Sequence, residues 1–231
     1  MTPCKAILIA APASGSGKTL VTLALLRAFR NAGLRVASAK AGPDYIDPRF
    51  HEAATGRPCY NLDPWAMPPA RLRGLLAALA RDADLVIVEG VMGLFDGPAG
   101  GGGSTADLAL ALGLPVVLTV DCRHQAQSAA ALVHGFASYR PDIDLAGVIL
   151  NRVASPRHAA LLSGALGNQV TGMIMNDPGL NLPSRHLGLV QATENPELES
   201  FIAKAAAKLG DAALLARIRE LAAPVTPAPL S

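Results

Sequence analysis

The sequence predicts an α/β fold in which a doubly wound, mostly parallel sheet carries helices on both faces. Short apolar runs alternate with segments of helical periodicity along most of the 231 residues. The apolar runs are continuous rather than alternating, which is typical of strands covered on both faces. A glycine-rich turn ending in Gly17-Lys18-Thr19 joins the first run to the first helical segment, as in phosphate-binding α/β domains.

The individual elements follow from hydrophobic periodicity and from the residues that begin and end helices. Gly33 closes the first helix, and Ser104 with Thr105 begins a later one. The predicted strands span 6–11, 34–39, 84–88, 115–120, 145–150 and 170–175. The predicted helices span 19–32, 71–80, 105–112, 126–138, 156–166, 194–209 and 211–222. Strands that alternate with helices in this way form right-handed βαβ crossovers and a parallel sheet.

The composition argues against several classes of protein. Hydrophobic residues make up 51% of the chain and charged residues 16%, so it is too apolar to be disordered. A net charge of +2 without a basic run does not favour a nucleic-acid partner. The longest uncharged apolar stretch, 108–120, has 13 residues and contains Pro115. A membrane span needs about 20 residues, so no membrane partner is expected.

The cysteines and the end of the sequence indicate compartment and domain organisation. Cys4, Cys59 and Cys122 are odd in number and widely spaced, which argues against a disulfide framework or a structural zinc site. They predict reduced thiols in a cytoplasmic protein. Residues 1–222 are expected to form one domain, and the proline-rich segment 223–231 has the composition of a linker.

The turn after the first strand has the features of a phosphate-binding loop. Gly15 and Gly17 let backbone N–H groups approach an anion, and the following helix N-terminus adds partial positive charge. The motif requires Lys18 to reach the β- and γ-phosphates of ATP and the Thr19 hydroxyl to hold Mg²⁺. Pro12 departs from the usual glycine, and a chance lysine in a glycine-rich turn is the alternative. The predicted nucleotide contacts here are Ser14, Gly15, Ser16, Gly17, Lys18 and Thr19.

Charged side chains follow the second and third predicted strands. Lys40, Asp44 and Asp47 come after the second, and Glu89 and Asp96 after the third. The carboxyl ends of parallel strands meet at one edge of a sheet, so these residues are expected to converge on the phosphate loop. Four carboxylates beside a triphosphate need a cation, which predicts one or two Mg²⁺ ions. The alternatives are a helix cap for Glu89 and turns built by the two aspartates after the second strand.

Four further segments carry specific motifs: KAGPDYIDP at 40–48, GRPCYNLD at 56–63, VEGVMGLFDG at 88–97 and LPSRHLGL at 182–189. With them the chain resembles the cobyrinic or hydrogenobyrinic acid a,c-diamide synthases over nearly its whole length. Dethiobiotin synthetase is the nearest wider relative and shares the fold and the phosphate loop. The resemblance implies ATP-dependent amidation of two acetate side chains, c and then a, of a corrin ring in cobalamin biosynthesis. Each carboxylate would attack the γ-phosphate of ATP, and ammonia would displace the acyl phosphate.

The same resemblance implies roles for individual residues. It makes Thr19 and Glu89 the best metal ligands, and Asp44 is a further candidate ligand. Asn151 resembles the residue that contacts adenine, with a turn-forming asparagine as the alternative. The residues tied to catalysis are Lys40, Asp44, Asp47 and Asp96. The residues expected to meet the substrate are Tyr45, Ile46, Arg185 and His186, of which the last fits an ordinary packed histidine equally well.

One departure from the family pattern concerns the source of nitrogen. Full family members carry a C-terminal glutamine amidotransferase domain, and none of the three cysteines here lies in a nucleophile-elbow context. The chain is therefore expected to be the synthetase half, with 223–231 as a linker to an absent glutaminase domain, and to use free ammonia. The resemblance also suggests a homodimer.

Two other functions fit the same motifs. One is amidation of another tetrapyrrole, such as a nickel sirohydrochlorin. The other is a partition-type ATPase that dimerises on nucleotide. Those ATPases carry a lysine early in the phosphate loop, and Ala13 at that position disfavours this alternative.

Overall fold

The computed structural model describes residues 3–180 and 197–229, together with two short strands at 184–185 and 188–189. The strands of the main sheet are β1 (Lys5–Ala10), β2 (Val36–Ala41), β3 (Cys59–Leu62), β4 (Leu85–Glu89), β5 (Val116–Asp121), β6 (Leu145–Val153) and β7 (Val170–Met175). The helices are α1 (Lys18–Asn31), α2 (Asp47–Thr55), α3 (Pro69–Ala80), α4 (Thr105–Leu112), α5 (Ser128–Tyr139), α6 (Pro156–Leu166), α7 (Leu198–Leu209) and α8 (Ala212–Leu221). Strands β8 (Ser184–Arg185) and β9 (Gly188–Leu189) pair with each other, and β10 (Ala223–Pro224) joins the main sheet.

The seven longer strands of the main sheet are parallel and lie in the order β3-β2-β4-β1-β5-β6-β7. The first strand is central, and the chain winds outward from it in both directions. This arrangement confirms the predicted doubly wound fold. It also brings the loops after β1, β2 and β4 to the same edge of the sheet, where ligands bind in open α/β sheets.

Both faces of the sheet are covered, as the continuous apolar runs predict. Ala6, Leu8 and Ala10 of β1 face the core formed with α3, α4, α5 and α6, whereas Ile7 and Ile9 face α1, α2, α7 and α8. All five residues are fully buried. Among the described residues, no helix combines the length and the apolar character that a membrane crossing requires.

Helix α4, which Ser104 caps, illustrates how the local sequence determines where a helix begins and ends. The Ser104 hydroxyl accepts a hydrogen bond from the Asp107 backbone N–H, and the Asp107 carboxylate accepts one from the Ser104 backbone N–H. This reciprocal capping box satisfies two N–H groups that the first turn leaves unpaired. Gly113 ends the helix with φ 63°. The predicted start and end of this helix are confirmed.

Two elements near the site were not predicted. Helix α2 begins at Asp47, where the sequence indicated only a turn, and Pro48 occupies its first turn, a position at which proline is tolerated. Strand β3 has four residues, and Tyr60 and Asn61 between its buried ends are not buried. Such a short edge strand lacks the continuous apolar pattern of the other strands. Helix 194–209 is described only from Leu198, since 190–196 lie outside the described residues.

The predicted linker begins with residues that belong to the sheet. Strand β5 pairs with β1 only from Leu8 onward, which leaves Lys5 and Ala6 without a neighbour on that side. Strand β10 fills this place in the antiparallel direction, with Ala6 opposite Ala223. The Val225 N–H then donates to the Cys4 carbonyl at 2.8 Å.

Candidate nucleotide and active site

The phosphate loop connects β1 to α1 and is bound by two side chains of β6. Gly15 and Gly17 have φ of 80° and 100°, the left-handed region that favours glycine. The Asn151 side-chain amide donates to the Ser16 carbonyl at 2.9 Å, and Arg152 donates to the Gly15 carbonyl at 2.9 Å. These bonds occupy two carbonyl groups of the loop and fix its backbone. The predicted contacts of its N–H groups with a nucleotide stay a prediction.

Asn151 supports the loop directly, a role that the sequence did not predict. It is fully buried, and a Cβ built on Gly17 would lie closer than 3.0 Å to its amide nitrogen. Its Oδ1 is buried and has no hydrogen-bond partner among the described residues. That oxygen is the acceptor left for a ligand, so the adenine contact stays a prediction.

The loop after β4 crosses over the phosphate loop. The Leu94 N–H donates to the Ala11 carbonyl at 2.8 Å, and the Gly90 N–H donates to the Ile9 carbonyl at 2.8 Å. The Lys18 ammonium group donates to the carbonyl of Met92, a residue with φ 51°. Lys18 is buried, and this burial lowers the pKa of its ammonium group despite the nearby Glu89. A carbonyl oxygen thus occupies the hydrogen-bonding position that a phosphate oxygen would take from Lys18.

Glu89 is the centre of a buried charged cluster beside the loop. Its Oε1 accepts from the Thr19 hydroxyl at 2.7 Å and from the Lys40 ammonium at 2.9 Å. Its Oε2 lies 2.7 Å from Nε2 of His51. Lys40 also pairs with Asp47 at 2.6 Å. The structure therefore brings together four of the residues predicted to form the site and adds a histidine.

Burial and charge act against each other in this cluster. Burial alone would raise the pKa of Glu89, but Lys40 and the hydrogen bond with His51 hold it below its usual range. Burial opposes the charge of Lys40, yet Glu89 and Asp47 raise the pKa of that ammonium group. Burial and the Glu89 charge raise the pKa of Asp47 in spite of its ion pair. Glu89 and Lys40 are consequently an ion pair at neutral pH.

Asp44 and Asp96 lie in the predicted loops, but their carboxylates bind backbone N–H groups of those loops and not the side chains around Glu89. Asp44 Oδ1 accepts from the N–H groups of Ile46 and Asp47 at 2.8 and 3.1 Å, which is the turn geometry offered as its alternative. Asp96 Oδ2 accepts from the Gly93 N–H at 3.0 Å. The predicted roles of Asp44 as a metal ligand and of both residues in catalysis stay predictions.

The predicted substrate residues divide into three groups. Tyr45 is 82% exposed at the mouth of the site and is available to a substrate. Ile46 directly precedes helix α2, is half-buried and packs against the core on the α1 side, and its contact with a substrate stays a prediction. Arg185 lies in β8, but its side chain and all of His186 lie outside the described residues.

Sequence reasoning missed three residues that shape the site. His51 contacts Glu89, and the Asn61 amide donates to the carbonyls of Gly42 and Asp44. The Thr105 hydroxyl donates to the Val91 carbonyl at 2.9 Å. His51 follows Asp47 by four residues, the spacing of one helix face, but the signal is readable only if a helix is predicted there.

The oxygen atoms of Thr19 and Glu89 are of the kind that Mg²⁺ prefers. Among the described residues, no group of three or more His, Cys, Asp and Glu side chains could hold a metal ion alone. Magnesium bound with a nucleotide takes most of its ligands from phosphate and water, so one hydroxyl and one carboxylate are sufficient. The residues fit a magnesium nucleotide and do not fit an all-protein metal centre.

A cavity of about 530 Å³ opens next to the phosphate loop. Pro12 and Asp96 form one side, and the exposed face of α5 forms the other. The Phe95 and Phe136 rings stack with centroids 5.2 Å apart, and Tyr139 lies 4.9 Å from Phe95. The cavity is therefore aromatic on one side and adjoins the charged site on the other.

A phosphate loop after the first strand of a mostly parallel sheet, with a carboxylate against its threonine, defines a P-loop nucleotide-binding domain. Residues 7–190 match the family model CbiA, described as the CobQ/CobB/MinD/ParA nucleotide binding domain. The chain belongs to this family. The structure of the septum site-determining protein MinD complexed with Mg-ADP, from Pyrococcus horikoshii OT3, has a TM-score of 0.50 over 94% of this chain and 96% of that chain. Its sequence identity is 16%, so this likeness shows the fold alone.

Curated relatives named hydrogenobyrinate a,c-diamide synthase are much more similar in sequence. Identity is 54% over 223 residues with the protein of Rhizobium meliloti and 57% over 206 residues with that of Brucella suis. These alignments cover 95% and 87% of this chain, but 52% and 47% of the relatives. The chain thus spans about half the length of the curated relatives it matches. The similarity confirms the resemblance indicated by the sequence motifs.

Proposed function

We propose that the chain is the ATP-dependent part of a hydrogenobyrinate a,c-diamide synthase. It would convert the a and c acetate groups of a corrin-type tetrapyrrole into amides. The observation that carries the proposal is 52–57% identity to proteins of that name across 87–97% of this chain. The cluster of Thr19, Lys40 and Glu89 beside the phosphate loop supports it, because phosphoryl transfer to a carboxylate needs such charges.

The side chains of the site suit stabilisation of the transferred phosphoryl group. The loop N–H groups and Lys18 would hold the β- and γ-phosphates, and Mg²⁺ would supply further neutralisation when bound. Lys40 is held by Glu89 and Asp47 at 2.9 and 2.6 Å, so its charge is already in place before reaction. Charges that need no reorganisation stabilise a transition state most effectively.

In this proposal the 231 residues accept ammonia and do not themselves hydrolyse glutamine. Burial is the largest cause that raises the pKa of Cys4 and of Cys122 to about 11, which makes both thiols poor nucleophiles at neutral pH. Cys59 is buried against His51. A glutaminase needs an accessible, activated cysteine, and none of these three side chains offers one.

The proposal is tested by measuring ADP formation with a panel of acids. A corrin-type tetrapyrrole acid with ammonium chloride should give ADP and amide in equal amounts, and glutamine should not replace ammonium. Nickel sirohydrochlorin and a simple dicarboxylate complete the panel. ADP release without any acid, accompanied by dimer formation, would favour a partition-type ATPase. If only another tetrapyrrole is turned over, the proposed ATP-dependent amidation stands but the proposed substrate is wrong.

The aromatic cavity provides a second prediction. If the flat macrocycle lies against Phe95, Phe136 and Tyr139, Tyr139→Ala should weaken its binding by about tenfold, since a buried aromatic contact contributes about 1–3 kcal/mol. Tyr139 is 72% exposed, so its removal should leave the fold intact. Binding is measured by titration of the tetrapyrrole in the presence of a non-hydrolysable ATP analogue.

The matched control for the cavity is Leu161→Ala, an exposed apolar residue on α6. It should bind the tetrapyrrole like the wild type, and both variants should keep their affinity for the ATP analogue within twofold. Unchanged tetrapyrrole affinity in Tyr139→Ala would place the macrocycle elsewhere.

A further inference from the structure

A histidine that the proposed reaction does not use lies completely buried beneath the site. His51 is on α2, and its two ring nitrogens have different partners. Nε2 lies 2.7 Å from Glu89 Oε2, and Nδ1 lies 3.4 Å from the Cys59 sulfur. Since an ionised carboxylate can only accept, Nε2 carries a proton and donates to Glu89.

The helix that carries His51 is fixed independently of the site. Arg27 of α1 is buried and donates to the carbonyls of Ala53 and Ala54 at 2.9 and 3.0 Å, near the end of α2. The Thr55 hydroxyl donates to the His51 carbonyl at 2.9 Å. The two Arg27 bonds satisfy carbonyl groups that the end of the helix leaves unpaired, and the Thr55 bond adds a second contact to a carbonyl inside the helix. The imidazole therefore projects from a rigid support.

The two carboxylate oxygens of Glu89 have different partners. The Oε2 end is bound by His51, whereas the Oε1 end accepts from Thr19 and Lys40 at the phosphate loop. A carboxylate can rotate about its terminal bond, and such torsions have broad minima. The bond to Oε2 removes this freedom and keeps Oε1 directed at the threonine.

We propose that His51 is a positioning residue that holds the Glu89 carboxylate with Oε1 toward Thr19 and thereby sets the affinity for Mg²⁺ with a nucleotide. The inference rests on the magnesium nucleotide site of the proposed function and is independent of the tetrapyrrole substrate. Partners that orient a metal ligand from behind commonly change metal affinity by about 10- to 100-fold when they are removed. Cys59 contacts the opposite ring nitrogen and fixes the plane of the imidazole.

The experiment measures the Mg²⁺ dependence of binding of a fluorescent, non-hydrolysable ATP analogue. His51→Leu fills a similar volume without a donor and should raise the Mg²⁺ concentration at half-effect by about tenfold or more. His51→Gln places an amide donor near the position of Nε2–H and should recover most of that loss. Affinity for the analogue in excess EDTA should stay within twofold of wild type, because the loop N–H groups are untouched.

A control variant separates positioning from stability. Phe50→Leu alters the neighbouring buried residue on α2 and should lower the melting temperature without changing the Mg²⁺ dependence. A Mg²⁺ dependence within twofold of wild type in folded His51→Leu would overturn the inference. So would an equal shift in Phe50→Leu, or a His51→Gln variant as impaired as His51→Leu. If wild type binds the analogue without any Mg²⁺ dependence, the magnesium site itself fails, and the inference fails with it.

Discussion

Replacing Glu89 with glutamine is expected to reduce ADP formation by about 100- to 1,000-fold, the loss typical of removing one preorganised electrostatic group. The neutral amide keeps the size of the side chain but no longer compensates the charge of Lys40. Breaking a buried charged contact costs about 3–5 kcal/mol. Asp47 still pairs with Lys40, so the lower end of that range is expected and the fold should persist. ADP release at saturating ATP and Mg²⁺, with thermal unfolding, measures both effects.

Glu220→Gln is the matched control, because it makes the same chemical change on the surface of α8. The Glu220 side chain is 66% exposed and pairs with Arg217 at 3.4 Å. Exposed pairs of this kind contribute about 0–1 kcal/mol, so turnover and melting temperature should remain close to wild type. A Glu89→Gln enzyme that keeps more than about a tenth of wild-type turnover would exclude the role assigned to this carboxylate.

Gly17→Ala is expected to abolish nucleotide binding and to destabilise the protein by about 3 kcal/mol. Two causes add. A φ of 100° strains any residue with a Cβ, and the new methyl group would overlap the Asn151 amide that supports the loop. Displacing Asn151 also breaks its bond to the Ser16 carbonyl. Titration with the ATP analogue and chemical denaturation of the free protein report the two losses separately.

Two further variants separate the two causes of the stability loss in Gly17→Ala, backbone strain and steric overlap. Gly33 has φ 86° and, among the described residues, no atom within 4 Å of an added Cβ. Gly33→Ala should therefore lower the free energy of unfolding by about 1–2 kcal/mol through strain alone and leave nucleotide affinity unchanged. Adding Asn151→Ala to Gly17→Ala should recover part of the lost stability, because it relieves the overlap but not the strain. Wild-type nucleotide affinity in Gly17→Ala would contradict the phosphate-loop assignment.

Much of the fold could be predicted because each long strand is covered on both faces and therefore has a continuous apolar sequence. The segment 170–175 was predicted with the observed bounds, and the other long strands shift by a few residues. Strand β3 and helix α2 could not be predicted in this way. β3 is a short edge strand, and α2 begins beside two prolines and a turn. Each therefore has too few periodic apolar positions for its sequence to be distinguished from that of a loop.

The site was predictable where its residues stand at the ends of strands. Lys18, Thr19, Lys40 and Glu89 converge as parallel-sheet topology requires. Asn151 was singled out for a contact with adenine, but its observed contact is with the loop that it supports. His51 was missed because its position depends on the packing of α2 against β2 and β3. Its contact with Glu89 joins residues 38 positions apart, and such a contact leaves no periodic pattern in the sequence.

The position of β10 has a consequence for any polypeptide attached beyond it. Val225 lies beside Cys4, at the start of β1, whereas the phosphate loop follows the other end of that strand. β1 has six residues, which corresponds to a distance of about 20 Å. A covalently attached ammonia-producing module would therefore start its path at the far edge of the sheet. An extended segment of roughly six or more residues would be needed to span the distance from there to the phosphate loop.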